Sequence, residues 1–172
     1  MDKIPLNSHQ ILAFFFPGIV FSLQSFYCLY YAFVEQASIE CCVEHYKESG
    51  VAVTFILIIA SIIAGLLFDS IRNSILETLF DKKFKKVHWD YFFSKDKDKV
   101  GMLYARYYNY YVYDINASIA LIFSMIMLLR FLNFKDVIWI VIIEFIAISI
   151  LCYEAYQLRD EISKITNLTD DE

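Results

Sequence analysis

The sequence is poor in the residues that interrupt helices, and it is also poor in charge. Its 172 residues include four glycines and two prolines, and 20% of them are charged. This composition excludes a collagen-like chain and a Gly-rich or Pro-rich disordered chain. Soluble domains are about 25% charged and about 45–50% apolar, whereas 59% of this chain is hydrophobic. Because a small domain cannot bury so much apolar surface, the composition predicts a membrane protein.

Recognisable catalytic and metal-binding patterns are missing as well. Four glycines make a Gly-rich phosphate loop implausible, and neither His-Glu-x-x-His nor Cys-x-x-Cys occurs. The histidines His9, His45 and His88 are scattered along the chain, and no nucleophile is set beside a base. The sequence therefore predicts no enzyme, no catalytic residue, no metal site and no cofactor.

Four apolar blocks are long enough to cross a bilayer, and they cover residues 11–34, 51–68, 117–134 and 137–153. A helix of 18 residues is about 27 Å long, close to the hydrocarbon core of about 30 Å. Four buried helices of a soluble bundle are the alternative. Each of those would carry a polar face, and the first two blocks have none. We predict an all-α integral membrane protein with four transmembrane helices, forming one membrane domain over residues 1–172.

Lysine and arginine concentrate in the middle of the chain. Residues 69–114 hold nine of the 15 basic residues, whereas residues 36–50 contain only Lys47. The positive-inside rule therefore places residues 69–114 in the cytoplasm, and four spans then place both termini there. The second block continues at helical period to about Lys86, and a matching helix leads into the third block. We expect helices 2 and 3 to extend into a cytoplasmic helical hairpin.

Basic and aromatic residues alternate in this cytoplasmic segment. The lysines are suited to anionic lipid headgroups, to a solvated helix end, or to a phosphate-bearing ligand whose bases stack on aromatic rings. Six tyrosines between residues 104 and 113 are typical of an interfacial aromatic belt, and some could instead line a ligand site. The candidate ligand or lipid-headgroup residues are Lys82, Lys83, Lys85, Lys86, Trp89 and Tyr91.

Polar residues within the spans are costly and are therefore candidates for function. Glu144 could pair with Arg130, line a pore or act as a proton-linked carboxylate, or extend outward from the bundle edge. Small residues at helical spacing allow either close packing or a hydrated path. Asp69 and Arg72 are three residues apart, which predicts an ion pair, and Pro17 should kink or locally open the first span. The candidate pore residues are Glu144, Ser61, Gly65, Asp69, Arg72, Asn116 and Ser124.

Three short patterns resemble the small multi-span membrane effectors of bacterial anti-phage systems, such as the Hailong-type membrane subunit. They are Ile11-Leu-Ala-Phe-Phe-Phe-Pro-Gly18, Gly65-x-x-x-Asp69-x-x-Arg72, and the Tyr-rich segment ending in Tyr113-Asp-Ile-Asn116. The resemblance covers the spans, leaves residues 82–99 unmatched and transfers no site residues. It implies a homo-oligomeric pore in the bacterial inner membrane. Its implied partner is a nucleotide or oligonucleotide signal, or the enzyme that makes the signal.

Three functions remain open from the sequence. The leading hypothesis is a homo-oligomeric ion channel in anti-phage defence, gated at its cytoplasmic face by a soluble ligand or partner. The second is a non-conducting membrane scaffold or accessory subunit that recruits a cytoplasmic partner. The third is a small transporter with Glu144 as a proton relay, although the last two spans do not repeat the first two.

Overall fold

A computed structural model describes residues 8–33, 39–83 and 107–167, and these residues are helical almost throughout. Helix α1 covers Ser8–Phe33, α2 covers Ile39–Ile71, α3 covers Glu77–Lys83, α4 covers Asn109–Phe131 and α5 covers Phe134–Asn167. A π-helical turn, Arg72–Leu76, joins α2 to α3 without a break. Four helical stretches are long and apolar enough to span a membrane: Ala13–Phe33, Gly50–Phe80, Asn109–Phe131 and Phe134–Lys164. The predicted all-helical class with four helices of spanning length is confirmed at this level.

Helix α1 lies between α2 and α4, and α5 packs on the other side of α4. Consecutive long helices run in opposite directions. The beginning of α1, the end of α2, the beginning of α4 and the end of α5 therefore meet at one end of the bundle. The opposite end contains the tight turn between α4 and α5, where the Asp136 N–H donates to the Asn133 carbonyl oxygen.

Two glycines allow α1 and α2 to approach closely. A Cβ atom on Gly18 would overlap the backbone carbonyl of Ser61, and a Cβ atom on Gly65 would overlap the backbone carbonyl of Phe14. Both obstacles are backbone atoms, which no side-chain rotation can move. The small residues of these two helices therefore serve close packing, which is one of the two roles that their spacing suggested.

Pro17 lies inside α1, and the helix continues through it from Ser8 to Phe33. A proline has no backbone N–H, so the carbonyl four residues earlier loses its helical donor. That carbonyl belongs to Ala13, and it accepts a hydrogen bond of 3.4 Å from the Asn116 Nδ2 of α4. A side chain from the neighbouring helix thus satisfies the backbone group that the proline leaves open, as membrane helices commonly require.

Two helices are longer than the apolar blocks that predict them. Helix α2 begins at Ile39, within the segment expected to connect the first two spans, and Gly50 does not interrupt it. Helix α5 continues to Asn167, well past residue 153. Hydropathy marks only the part of a helix suited to lipid, and neither extension, residues 39–50 or 154–167, contains a proline that would interrupt it. Residues 84–106 lie outside the described residues, so the cytoplasmic hairpin stays a prediction.

Candidate functional sites

A buried cluster of charged side chains lies where α2, α4 and α5 meet at the end of the bundle. We call it the ionic node, and it consists of Asp69, Arg72, Glu77, Tyr111 and Arg159. The side chains of Arg72 and Arg159 are only 3% and 5% exposed. These two guanidinium groups are removed from water, which costs free energy. The carboxylates of Asp69 and Glu77 and the hydroxyl of Tyr111 compensate for that cost.

Glu77 is the centre of the node. Its Oε2 lies 2.7 Å from the Nη1 of Arg159, and its Oε1 lies 3.1 Å from the Nη1 of Arg72. The Tyr111 hydroxyl donates to Glu77 Oε1 at 2.9 Å and accepts from Arg159 Nη1 at 2.9 Å. One carboxylate thus links the α2–α3 rod to α4 and to α5.

Asp69 holds the other side of the Arg72 guanidinium. Arg72 Nη2 and Nε donate to Asp69 Oδ1 at 2.7 Å and 3.2 Å. The ion pair predicted from the spacing of these two residues is confirmed. Asn73 Nδ2 also donates to the second oxygen of Asp69 at 3.1 Å. Arg72 is consequently held between two carboxylates, and Glu77 also pairs with Arg159.

The π-helical turn explains how Glu77 reaches Arg72. In an α-helix the neighbouring positions are three and four residues apart, and positions five apart face different directions. The Glu77 backbone N–H instead bonds the carbonyl oxygen of Arg72, five residues earlier. The wider turn brings Glu77 back over Arg72. Single π-helical turns occur often at functional sites, and this one lies directly before α3.

Aromatic rings surround the Arg159 guanidinium. Its central carbon lies 5.5 Å from the centre of the Phe80 ring and 5.9 Å from the centre of the Tyr111 ring, within the range of cation–π attraction. Burial raises the pKa of the nearby Tyr108 phenol, and the positive charge of Arg72 beside it opposes that rise. The phenol is therefore uncharged at physiological pH, where it can act as a hydrogen-bond donor or acceptor.

The tyrosine-rich segment divides between two environments. Tyr111 is completely buried in the node, whereas Tyr110 is exposed on the outside of α4. From the sequence, these tyrosines fit either an interfacial aromatic belt or a ligand site. The position of Tyr110 fits a belt, and Tyr111 instead serves internal hydrogen bonding. Tyr104 lies outside the described residues.

A small cavity of about 220 Å³ opens beside the node. Phe80, Tyr111, Ile115, Tyr156 and Arg159 contribute to its lining, together with Cys152 and Ala155. The Arg159 guanidinium is turned toward Glu77 and Tyr111, so the cavity presents apolar and aromatic surface.

A second polar site lies deep within the spans. Glu144 of α5 is 5% exposed, and its Oε1 accepts a hydrogen bond from Nε2 of Gln24 on α1. Arg130 is exposed near the end of α4, and no ion pair joins it to Glu144 in the part of the chain that the structure describes. The partner of Glu144 is therefore the side-chain amide of Gln24 in the first span. The sequence pattern gives no indication of this pair.

The remaining candidate pore residues are buried between helices of one subunit. Ser61 and Ser124 are 2% and 0% exposed, and Asn116 is fully buried. The Ser61 hydroxyl donates to the Leu57 carbonyl of its own helix at 2.6 Å, and Gly65 packs on Phe14. The structure brings Asp69 and Arg72 into the ionic node, and it places Ser61, Gly65, Asn116 and Ser124 at helix contacts.

Most of the basic and aromatic candidates for a ligand or lipid-headgroup site lie outside the residues that the structure describes. Lys82 and Lys83 lie at the end of α3, but their side chains are outside the described residues. The same holds for all of Lys85, Lys86, Trp89 and Tyr91. Their assignment to lipid headgroups or to a ligand stays a prediction.

Sequence reasoning missed three members of the node: Glu77, Tyr111 and Arg159. Glu77 follows Arg72 by five residues, a spacing that pairs side chains only in a π-helical turn. Arg159 lies six residues beyond the fourth apolar block, outside the range in which the hydropathy pattern predicts a span. The one available signal is the recurrence of charge at the ends of two spans, the ends that the positive-inside rule predicts to be cytoplasmic, because buried charges must be paired.

We compared the chain with protein-family models, with curated proteins and with solved structures, and none of the three comparisons gave a match.

Proposed function

We propose that the protein is a homo-oligomeric channel of the bacterial inner membrane, gated at its cytoplasmic face by a soluble ligand or partner and acting in anti-phage defence. The observation that supports this proposal best is the ionic node. It joins three helices at the point where the α2–α3 rod leaves the span and continues toward the basic-aromatic segment. A force or charge applied to α3 would reach α4 and α5 through Glu77.

The node has properties that suit a gate. A buried ion pair costs desolvation energy that only good geometry repays, so a modest displacement of Glu77 weakens the support of the buried Arg159 guanidinium. Arg72 keeps Asp69 in either case. The node could therefore adopt a second arrangement, in which Glu77 has moved away while Arg72 remains paired with Asp69. Two such arrangements of similar free energy are what a two-state element needs.

The direct experiment is ion flux from liposomes that contain the purified full-length protein. We expect leakage to depend on a cytoplasmic ligand, and short oligonucleotides of mixed length are the first probes because of the resemblance to anti-phage effectors. The Glu77→Gln variant should leak without ligand, because it weakens the link between α3 and the bundle. The Glu161→Gln variant is the matched control, since Glu161 is an exposed acid near the same end of α5.

A second set of variants tests the ligand segment. Replacing Lys82, Lys83, Lys85 and Lys86 together by glutamine should abolish the response to a phosphate-bearing ligand and leave the Glu77→Gln leak unchanged. Absence of leakage from wild type and from Glu77→Gln under all ligand conditions would contradict the channel.

One observation favours a second candidate, a non-conducting scaffold that recruits a cytoplasmic partner. Ser61, Asn116 and Ser124, which a hydrated path would need, are buried in contacts within a single subunit. A scaffold predicts that the lysine variant loses binding of its partner while no variant conducts. Within the membrane, Glu144→Gln is the substitution to test, because a scaffold predicts that it leaves partner binding unchanged. Ser61→Leu is less suitable, because Ser61 supports the contact with Gly18.

A further inference from the structure

Gln24 and Glu144 form a polar pair in the middle of the membrane-spanning region. Glu144 lies about 15 Å along α5 from Phe134, which is about half the thickness of the hydrocarbon core. Gln24 Nε2 donates to Glu144 Oε1. The two other oxygens of the pair, Gln24 Oε1 and Glu144 Oε2, are buried and have no hydrogen-bond partner among the described residues.

An ionised Glu144 would lack compensation in this position. Helix α4, which packs on α5, has no ionisable side chain from Ala117 to Leu129, and Arg130 is exposed. On α1 the titratable residues that follow Gln24 on its face are Tyr27, Cys28 and Tyr31, and none of them is a cation. A single amide donor is weak support for a full negative charge in lipid.

The two unpartnered oxygens need one donor between them. A carboxylate is an acceptor only, whereas a protonated carboxyl group gains an O–H donor. A proton on Glu144 Oε2 would let that atom donate to Gln24 Oε1, while Gln24 Nε2 still donates to Glu144 Oε1. Acid and amide would then be joined by two reciprocal hydrogen bonds, and the pair would be neutral.

We propose that Gln24 and Glu144 form an intramembrane proton-binding site, in which Glu144 is a neutral acid hydrogen-bonded to Gln24. The proton comes from water and returns to water when the carboxyl group ionises.

The site is independent of the proposed channel, because a proton can bind to this pair whether or not the assembly conducts ions. The tests below use no ligand and no flux measurement. Failure of the channel proposal and failure of this one are therefore distinguishable.

The first test is chemical labelling of the full-length protein in phosphatidylcholine vesicles with dicyclohexylcarbodiimide, a lipid-soluble reagent that attacks protonated carboxyl groups. Peptide mass spectrometry should find the adduct on Glu144 at neutral pH, and labelling should fall by about tenfold per pH unit above the titration midpoint. The Glu144→Gln variant should lose this adduct. The Glu161→Gln variant should keep it, because Glu161 lies on an exposed face far along α5 from Glu144.

The second test reads the protonation state without a reagent. Infrared spectra of the wild-type protein in a detergent without ester or carboxyl groups should contain the carbonyl stretch of a neutral carboxylic acid at neutral pH. That band should be weaker in Glu144→Gln than in wild type and unchanged in Glu161→Gln, because Asp114 is a second buried carboxyl group that can contribute to it. A glutamine at position 144 can keep two reciprocal bonds with Gln24, so this variant should fold.

Proton binding also makes stability depend on pH with a defined sign. If the folded protein holds a proton that the unfolded chain releases, the unfolding equilibrium constant in detergent rises with pH, by up to about tenfold per unit. The Glu144→Gln variant should show a smaller dependence, and the remainder is expected from Asp114, the other buried carboxyl group among the described residues.

A neutral-acid band of equal intensity in wild type and Glu144→Gln at neutral pH, together with no adduct on Glu144, would overturn the proposal. Protection of Glu144 from the reagent by sodium ions at constant pH would also overturn it, because the site would then hold a metal cation.

Discussion

At the scale of single residues, Asn116 is a candidate pore residue whose burial has a structural explanation in Pro17 of the neighbouring helix. Asn116 was selected because a polar amide within a span is costly. In the structure it donates to Ala13, whose carbonyl Pro17 leaves without a helical donor. The amide and the proline therefore depend on each other, although they lie in different helices.

This dependence predicts a coupling between two substitutions. Asn116→Ala should destabilise the wild-type protein by about 1 kcal/mol, the usual magnitude of an interhelical hydrogen bond in a membrane. In a Pro17→Ala background the backbone N–H is restored, so Asn116→Ala should cost less. A double-mutant cycle measured by unfolding in detergent gives the difference. Ser149→Ala on an exposed face is the control, and its free-energy cost should add to that of Asn116→Ala. An equal cost of Asn116→Ala in the wild-type and Pro17→Ala backgrounds would contradict the role assigned to Asn116.

Glu77 supports a second prediction at this scale. Glu77→Ala leaves the buried guanidinium of Arg159 without its carboxylate, and breaking such a pair costs about 3–5 kcal/mol. Asp69→Asn should cost less, because Arg72 retains Glu77. Thermal unfolding in detergent would rank the variants, with Glu161→Ala within about 0.5 kcal/mol of wild type as an exposed control. A larger cost for Asp69→Asn than for Glu77→Ala would disprove the central role of Glu77.

Part of the node could be predicted from sequence, and the reason is local geometry. Asp69 and Arg72 are three residues apart on one helix, and any α-helix brings that spacing together. Glu77 joins them only because the helix widens to a π-helical turn, and Arg159 joins them only through the packing of α5. Neither event is encoded in a local spacing rule. The Gln24–Glu144 contact was missed for the same reason.

At the scale of elements, the scarcity of glycine and proline explains the length of the helices. Apolar blocks of spanning length were sufficient to locate all four. Their ends were less predictable, because a hydropathy change marks where lipid should end and a helix can continue beyond it. Helix α5 continues through charged residues to Asn167, and that extension is what carries Arg159 into the node.

The contact between α1 and α2 gives a prediction for elements. Gly18→Ala or Gly65→Ala places a Cβ atom against the backbone of the other helix, so the helices must separate. We expect each change to destabilise the protein by about 1–3 kcal/mol, the usual cost of overpacking. Unfolding in detergent measures the loss. Ala52→Leu adds more volume on an exposed face of α2 and should have little effect, whereas equal effects would show that the close contact is not required.

At the scale of the whole molecule, exposed apolar residues cover the outside of the bundle. Val51, Phe55 and Ile143 are more than half exposed, and many similar side chains share the spans. Water is an unfavourable solvent for a surface of this kind and size, so the surface suits lipid or another copy of the chain. The ionic node lies beneath this surface at one end of the bundle, the end that the distribution of basic residues predicts to be cytoplasmic.

The orientation can be tested with two positions at opposite ends of α5. In a variant without its four native cysteines, Lys135→Cys lies on the exposed turn and Glu161→Cys is exposed near the node. The positive-inside rule predicts that a membrane-impermeant maleimide labels Lys135→Cys in intact bacterial spheroplasts. Glu161→Cys should react only after the membrane is permeabilised. Reversed labelling would place the ionic node and α3 outside the cell, where no cytoplasmic ligand could reach them, and the proposed gating would have to be abandoned.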